Sequence, residues 1–393
     1  MSGGAPEDGL RAGAEGLRPA LLRWRRHLHA HPELSGEEHE TAAYIAAELQ
    51  ALGLQPRRPL PNAVVAECGA GAGPLVALRA DIDALPITEQ TGLAFASRRP
   101  GAMHACGHDG HSAILLGVAG LLSTRSLPCR VRLIFQPAEE VPPGGAAPLI
   151  EAGVLQGVRA IAGLHLWSPL RSGLAAVVSG PAWAAADRFR AVVRGRASHG
   201  ASPHTGVDAL EAACRAVVGL QSIVSRRVDP LQPAVVTVGS LHAGQAFNII
   251  AGEAVLEGTV RAFDEEVRLL VRRQVHAILE HAAAAAGAQA EVEYVDGYPP
   301  LVNHPAATDI VRAAAAAQLG PTAVADGPRE MAADDFARYL QRVPGCYFCL
   351  GAGGRAGGAA PHHHPRFDID EDVLPVGVAI LADAALRLSA AGL

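Results

Sequence analysis

The sequence predicts an α/β protein interrupted by a second unit of mixed α+β type, and three observations carry that prediction. Residues 17–135 alternate helical and strand-like segments, residues 187–295 follow a rhythm of their own, and helix–strand alternation resumes after Pro305. A length of 393 residues already makes two domains the natural expectation, because a single core stops growing before that size.

In the first stretch, Leu21, Leu22 and Leu28, then Tyr44, Ile45, Leu49 and Leu52, recur at helical spacing. His31-Pro32 divides them into two helices, since the residue before a proline is pushed out of the α region. Strand-like runs follow at 64–67, 75–78 and 130–135, with an apolar helix near 111–122 between the last two. The glycines at 69, 71 and 73 read as a turn, because they run into a strand and lack the final glycine of a dinucleotide fingerprint. In the middle stretch, 187–196 reads as a strand. A helix over 207–226 carries Leu210, Cys214, Val217, Val218 and Val224 on one face. Strands at 234–241 and 255–263 follow. Asp264 can then cap a long helix whose first turn holds Glu265 and Glu266, favourable for the helix dipole, and 290–295 is a last strand. This β-α-β-β-α-β order is that of a split-βαβ, ferredoxin-like unit. The expected division is 1–182 and 297–393 for the α/β domain, with 183–296 inserted between its halves.

Hydrophobic residues make up 49% and charged residues 18%, which fits a globular chain and argues against disorder. The formal net charge is -6, with no electrostatic reason to expect nucleic acid or an anionic membrane as partner. Every basic side chain is Arg or His; the absence of lysine reads as a compositional bias. Residues 1–16 lack the apolar core of a signal peptide, and no apolar run is expected to approach the roughly 20 residues that span a bilayer. Cys68, Cys106, Cys129, Cys214, Cys346 and Cys349 are scattered, as reduced thiols in a cytoplasm would be.

Chemistry-bearing residues collect at strand ends and turns. Arg79-Ala80-Asp81-Ile82-Asp83 follows a strand with two carboxylates on one face. Residues 103–111, MHACGHDGH, pack a thiol and three imidazoles into a glycine-containing turn before a helix. Gln136-Pro137-Ala138-Glu139-Glu140 ends the next strand with paired carboxylates, His165 follows an apolar run, and His362-His363-His364-Pro365 lies near the C-terminus. A divalent ion needs three or four such ligands converging in space. Two ions about 3.5–4 Å apart can share a hydroxide and polarise a carbonyl. Paired glutamates suit that design, one binding metal while the other moves a proton. Each residue also has a plainer reading: His165 as a packed core histidine, His362–His364 as a solvated loop, Cys106 as a small hydrophobe, the aspartates as caps. Together those readings leave the density of ligand-type residues at strand ends unexplained. Other chemistries fail on inspection. There is no G-x-S-x-G elbow, the zinc helix that His39-Glu40 would begin has Ala43 where its second histidine belongs, and Cys346 and Cys349 point to opposite faces of a strand.

These residues resemble the bacterial N-acyl-amino-acid amidohydrolases, hippurate hydrolases and plant auxin-conjugate hydrolases of the aminoacylase/carboxypeptidase-type metallopeptidases. The likeness runs from Arg25-Arg26-His27-Leu28-His29 with Pro32-Glu33 to the late HHPRFDIDE (363–371). It is most specific in RADIDALP (79–86), MHACGHDGH, FQPAEE (135–140) and GLHLW (163–167). The resemblance implies a catalytic α/β zinc-peptidase-like domain with a ferredoxin-like lid. It also implies two divalent ions, Zn²⁺ or Mn²⁺ with Co²⁺ or Ni²⁺ as alternatives, and hydrolysis of N-acyl amino acids. By resemblance the ligands are Cys106 (bridging), His108, Glu140, His165 and His363, with His362 and His364 as alternatives to the last. Glu139 is the base, Asp83 orients a ligand, and His199, Asn248 and Arg261 of the lid bind substrate. A homodimer through the lid is also implied. A dipeptidase or an N-acetyl-diaminopimelate-type deacetylase on the same scaffold, and a noncatalytic metal-binding homologue, are the other readings. The chain departs from the family pattern at Ala251, where proline is usual, at Asp334-Asp335-Phe336 in place of Glu-Asp-Phe, and at His363-His364-Pro365 in place of His-Ser-Pro.

Overall fold

The computed structural model describes residues 8–69, 73–327, 329–355 and 359–393, so the turn expected at 69–73 and the glycine-rich stretch before His362 lie partly outside the described residues. Its longer helices are α1 (Asp8–Gly16), α2 (Arg18–Ala30), α3 (His39–Ala51), α4 (His108–Ser123), α5 (Ala146–Glu151), α6 (Ala209–Arg226), α7 (Glu265–Ala285), α8 (Pro305–Leu319) and α9 (Leu374–Ala390). Its longer strands are β1 (Val64–Cys68), β2 (Leu75–Asp81), β3 (Arg130–Gln136), β4 (Val158–Trp167), β5 (Ala185–Arg194), β6 (Ala234–Ala243), β7 (Glu253–Ala262), β8 (Gln289–Tyr298) and β9 (Gly345–Gly351). The chain forms two compact units. One comprises Met1–Gly180, Val302–Pro328 and Asp334–Leu393; the other comprises Pro181–Leu301 and Arg329–Ala333.

The first unit is built on a seven-stranded sheet in the order β1-β3-β2-β4-β9, continued by the two-residue strands Ala175–Ala176 and Val324–Ala325. β3, β2, β4 and β9 run parallel, and β1 closes one edge antiparallel to β3. β2 and β9 are buried at every position, as strands must be when helices cover both faces of a parallel sheet. The carboxyl ends of β2, β3 and β4 deliver Asp81, Gln136 and the His165–Trp167 segment to one rim, the rim where open α/β sheets hold ligands.

One expectation fails here. The 20-residue stretch Glu371–Ala390 is long and apolar enough to cross a membrane, contrary to the reading that no run approaches that length. It is instead the core helix of this unit. Its window is 83% buried, α9 packs on α4, α8 and β4, and its one internal acid, Asp383, accepts from Arg387 Nε at 2.8 Å. A helix apolar all round is what the centre of a large core requires.

The second unit has a four-stranded antiparallel sheet in the order β8-β5-β7-β6. Numbered along the unit, that order is 4-1-3-2, with α6 and α7 as the two connections packed on the sheet. Asp264 caps α7 as expected, accepting from the backbone N–H groups of Glu266 (2.9 Å) and Val267 (3.0 Å). Asp208 caps α6 in the same way. The expected face of α6 is wrong. Leu210, Cys214, Val218 and Val224 are exposed, and Ala209, Ala212, Ala213, Ala216, Leu220 and Ile223 are buried. The alanine face is the one that lets α6 approach closely, and a Cβ added at Gly219 would already press on Ile278 of α7.

In the first unit, His29 of α2 is buried between two acids. Its Nδ1 lies 2.8 Å from Asp109 Oδ2 and its Nε2 3.2 Å from Glu89 Oε1, while Arg25 Nε also donates to Asp109 Oδ2 (3.0 Å). Burial alone would lower the His29 pKa, but Asp109 and Glu89 outweigh it and raise it to about 9. A raised folded-state pKa contributes stability that is complete below the unfolded value near 6.5 and is lost as pH rises through 9. Urea unfolding should therefore show stability falling by up to about 3 kcal/mol between pH 6.5 and 9.5, and His29→Gln should remove that component of the slope.

Candidate metal centre

The site forms where α4 begins. Gly107, with φ 93, makes the turn that sets Cys106 outside the helix and His108 at its first residue. His108 and His111 look equivalent in sequence, yet the structure separates them. His111 Nδ1 donates to Asp81 Oδ1 (2.6 Å) and its Nε2 accepts from the Leu166 N–H (2.8 Å), so both nitrogens are engaged. His108 Nδ1 lies 2.9 Å from the Asp83 carbonyl oxygen and 3.1 Å from Asp83 Oδ1, while its buried Nε2 has no hydrogen-bond partner. A ring nitrogen held by carbonyl and carboxylate with the other left bare is the usual arrangement of a metal-binding imidazole.

Glu140 Oε1, also buried without a hydrogen-bond partner, lies 3.8 Å from His108 Nε2, and His363 Nε2 comes within 3.3 Å of it. Cys106 Sγ is 3.5 Å from His165 Nε2 and 3.8 Å from His362 Nδ1. The donor atoms thus fall into two triads, Cys106–His108–Glu140 and Cys106–His165–His362, each within 4.8 Å, with the thiol common to both. His165 Nδ1 donates to the Leu166 carbonyl (2.9 Å), leaving Nε2 toward the sulfur. His362 Nε2 accepts from the Ser168 N–H (3.2 Å), which leaves its Nδ1 proton for the sulfur.

The electrostatics fit a cation. Burial, with Glu140, Glu139 and Asp81 nearby, pushes the Cys106 thiol well above its ordinary range. Burial pushes His165 well down, with His111 and His362 adding to it, and takes His362 to about 3, so both rings are neutral. Burial opposes protonation of His108, but Asp81, Asp83 and Glu140 raise it to about 10. Such a site takes up metal by releasing protons, chiefly from the thiol and His108.

The turn after β3 sets Glu139 and Glu140 in different surroundings. Ala138 has φ 54, a left-handed conformation that only strong local constraints hold in a residue with a Cβ. Its N–H donates to Glu38 Oε1 (2.7 Å), and the Glu140 N–H donates to Asp83 Oδ2 (2.9 Å), which also accepts from Ser35 Oγ (2.7 Å). Glu139 is buried with Asp334 and Asp335, their carboxylate atoms within 4.8 Å. Burial first, then Asp334, Glu140 and Asp335, push its pKa well up. The fully buried Arg79 balances this acidic floor. It donates to Asp81 Oδ2 (2.7 Å), Asp335 Oδ1 (2.8 Å) and Gln136 Oε1 (2.9 Å), and lies 3.3 Å from Asp334.

Of the sequence-derived candidates, Asp83, Cys106, His108, Glu139, Glu140, His165 and His363 all meet in the first unit. His199, Asn248 and Arg261 belong to the second. There His199 pairs with Ile249 in a two-residue ladder, and the Gly200 N–H donates to the Asn248 carbonyl (2.7 Å). Arg261 stands apart on β7, donating to Thr259 Oγ1 and, at 3.0 Å, to the Val260 carbonyl. Sequence reasoning missed Glu38, Ser35, Gln136 and the anchoring role of Arg79. Glu38 and Ser35 come from a segment distant in sequence, whereas Gln136 and Arg79 lie inside the recognised runs and only their partners at 334–335 were out of reach of spacing.

The chain belongs to peptidase family M20/M25/M40, whose family model matches residues 77–387. It is 44% identical over 376 residues to N-acetyl-L-cysteine deacetylase of Bacillus subtilis, covering 95% of this chain and 89% of that protein. It is 46% identical over 292 residues to N-acyl-L-amino acid amidohydrolase of Geobacillus stearothermophilus, covering 73% and 79%. Among solved structures, a Bacillus subtilis protein described as a dinuclear metal binding peptidase of the family superposes with a TM-score of 0.83 at 38% identity, over 95% of this chain and 98% of that one. The α/β fold and the class expected from the sequence, a metal-dependent hydrolase of amide bonds, are those of this family and these relatives.

Arg79→Met would leave Asp81, Asp334 and Asp335 buried without their cation. The expected loss is about 3–5 kcal/mol, read from the urea midpoint at neutral pH.

Proposed function

We propose that the protein hydrolyses the amide bond of N-acyl amino acids with two divalent ions, Zn²⁺ or Mn²⁺ (Co²⁺ and Ni²⁺ being alternatives), releasing a carboxylic acid and a free amino acid. The observation that carries this reading is the pair of buried, unpartnered donor atoms, His108 Nε2 and Glu140 Oε1, facing each other beside a thiol shared by two donor triads. Sulfur, imidazole and carboxylate donors in this mixture suit a borderline-soft divalent ion.

Cys106, His108, Glu140 and His165 would hold the two ions together with a histidine of the 362–364 run, in which His363 Nε2 lies beside Glu140 Oε1 (3.3 Å). His363 is the better ligand of that run. His362 already accepts from Ser168 at Nε2, so its Nδ1 proton is the one that supports the thiolate. When bound, the ions polarise the scissile carbonyl and lower the pKa of a water toward neutrality. Glu139 takes the proton of the attacking water on a carboxylate oxygen and passes it to the departing nitrogen. Its acidic, buried surroundings raise its proton affinity above that of an ordinary carboxylate, the direction a general base needs. Asp83 keeps the His108 Nδ1 proton and so fixes which nitrogen faces the ion. His199 donates to the substrate carbonyl, and Asn248 and Arg261 hold the substrate carboxylate. The hydrogen bond from the Gly200 N–H to the Asn248 carbonyl, one residue from His199, supports placing those two near each other. The name of the Bacillus subtilis N-acetyl-L-cysteine deacetylase makes acetyl the first acyl group to try. β8 and β6 are the edges of their sheet, and two copies would pair through one of them. The six free cysteines fit a reducing, cytoplasmic setting.

The test is hydrolysis of a panel of acetyl- and benzoyl-amino acids and free dipeptides by protein stripped of metal and reloaded with Zn²⁺ or Mn²⁺. Release of amino acid should depend on metal, with two equivalents bound. Glu139→Gln should keep both ions while kcat falls by about 10²–10⁴. Normal turnover by that variant would remove Glu139 from the reaction, and failure to bind metal would overturn the whole reading.

A further inference from the structure

We propose that Glu38 is a positioning residue for Glu139, acting through the backbone of Ala138. The inference rests on the reading of Glu139 as the base.

Glu38 immediately precedes α3 and is completely buried, yet its side chain does not cap that helix. It turns inward. Oε1 accepts from the Gly36 N–H (2.9 Å) and the Ala138 N–H (2.7 Å), and Oε2 accepts from Asn62 Nδ2 (2.7 Å). No arginine or histidine pairs with Glu38 among the described ion pairs. Burying a carboxylate in this way is costly, so its hydrogen bonds must repay it, and the one that crosses 100 residues of sequence goes to Ala138.

Ala138 needs such a clamp. It and His363 are the two non-glycine residues with positive φ among the described residues, and both border the metal centre. A strained conformation of this kind persists where its surroundings over-determine it. Here the strain has a use, because the reversal at residue 138 directs Glu139 toward Asp334 and Asp335 and Glu140 toward His108 and Cys106. The far side of the loop is tied separately. Asp335 Oδ2 accepts from the Ala146 N–H (2.9 Å), and a Cβ at Gly145 would run into the Pro137 carbonyl oxygen.

Residues 138 and 140 therefore have different anchors, Glu38 for the first and Asp83 for the second. Removing Glu38 releases the N–H of Ala138, a residue whose carbonyl still accepts from the Gly145 N–H (3.1 Å), while Glu140 stays on Asp83. The proton-moving carboxylate is displaced and the metal-binding one is not. A residue that merely stabilised the fold would disturb both.

The test compares Glu38→Gln, Glu38→Leu and Glu38→Asp with Glu139→Gln, each loaded with Zn²⁺. Glutamine keeps Oε1 for Gly36 and Ala138, and Asn62 can rotate its amide to offer oxygen to the new NH₂. Glu38→Gln should hold kcat within about threefold, whereas Glu38→Leu should lose about ten- to a hundredfold in kcat with two ions bound and KM within about threefold. Should the leucine variant not fold, Glu38→Asp, one methylene too short to reach both N–H groups, should show the same split between kcat and KM. Unchanged kcat in the leucine and aspartate variants, or losses that follow metal content or KM, would refute the positioning role. Full turnover by Glu139→Gln would sink the base assignment and this inference with it, whereas a dead Glu139→Gln beside fully active Glu38 variants would sink the inference alone.

Discussion

One buried guanidinium organises both halves of the metal centre. Arg79 lies buried inside the sheet rim, and four acids or amides turn toward it from three segments. Through Asp81 it fixes His111, whose Nε2 takes the Leu166 N–H and so sets the strand end that carries His165. Through Asp335 and Gln136 it fixes the loop that carries Glu139 and Glu140. Charges this deeply buried are strongly unfavourable unless paired, so the geometry of the pairing dictates the geometry of what is attached to it.

The two glutamates of one dipeptide then acquire different chemistry from different neighbours. Glu140 faces an imidazole and a thiol; its N–H rests on Asp83, the same carboxylate that orients His108. Glu139 is buried facing two aspartates, where a proton is held more tightly than an ordinary carboxylate would hold it. Nothing intrinsic to glutamate distinguishes them. Their neighbours do, and the left-handed backbone at Ala138 turns the chain just before it enters those unlike surroundings.

The sequence exposed the residues whose chemistry is unusual for their place and hid those whose role is geometric. Ligand-type side chains at strand ends stood out because parallel strands seldom end in thiols, imidazoles and paired carboxylates by chance. The strands themselves were legible from their apolar runs, and the cap at Asp264 from its local pattern. Spacing could not rank His108 and His111, which lie on the same turn of α4; only the resemblance chose His108, and the partners of their nitrogens differ. The buried face of α6 was misjudged because hydropathy favours leucine and valine, whereas close packing selected the alanines. The long apolar helix α9 was overlooked because its interruptions, Asp383 and Gly377, break a simple run without breaking the helix.

Glu38 illustrates the deepest limit on reading function from pattern. Its neighbours in sequence are charged residues and a turn glycine, a context that looks like any solvated helix start. Its partner is a backbone N–H, which every non-proline residue possesses and which carries no sequence signature. The chain made the interaction specific by strain instead. An alanine held at φ 54 is tolerable only where something fixes it, so the left-handed residue and the buried carboxylate imply each other once both are seen. The same logic extends to the other positive-φ residue, His363, which also sits where a backbone reversal sets the direction of a side chain at the centre. In this fold the candidate metal donors come from the start of α4, the loop after β3, the end of β4 and the loop before α9, and the two strained residues Ala138 and His363 lie among them.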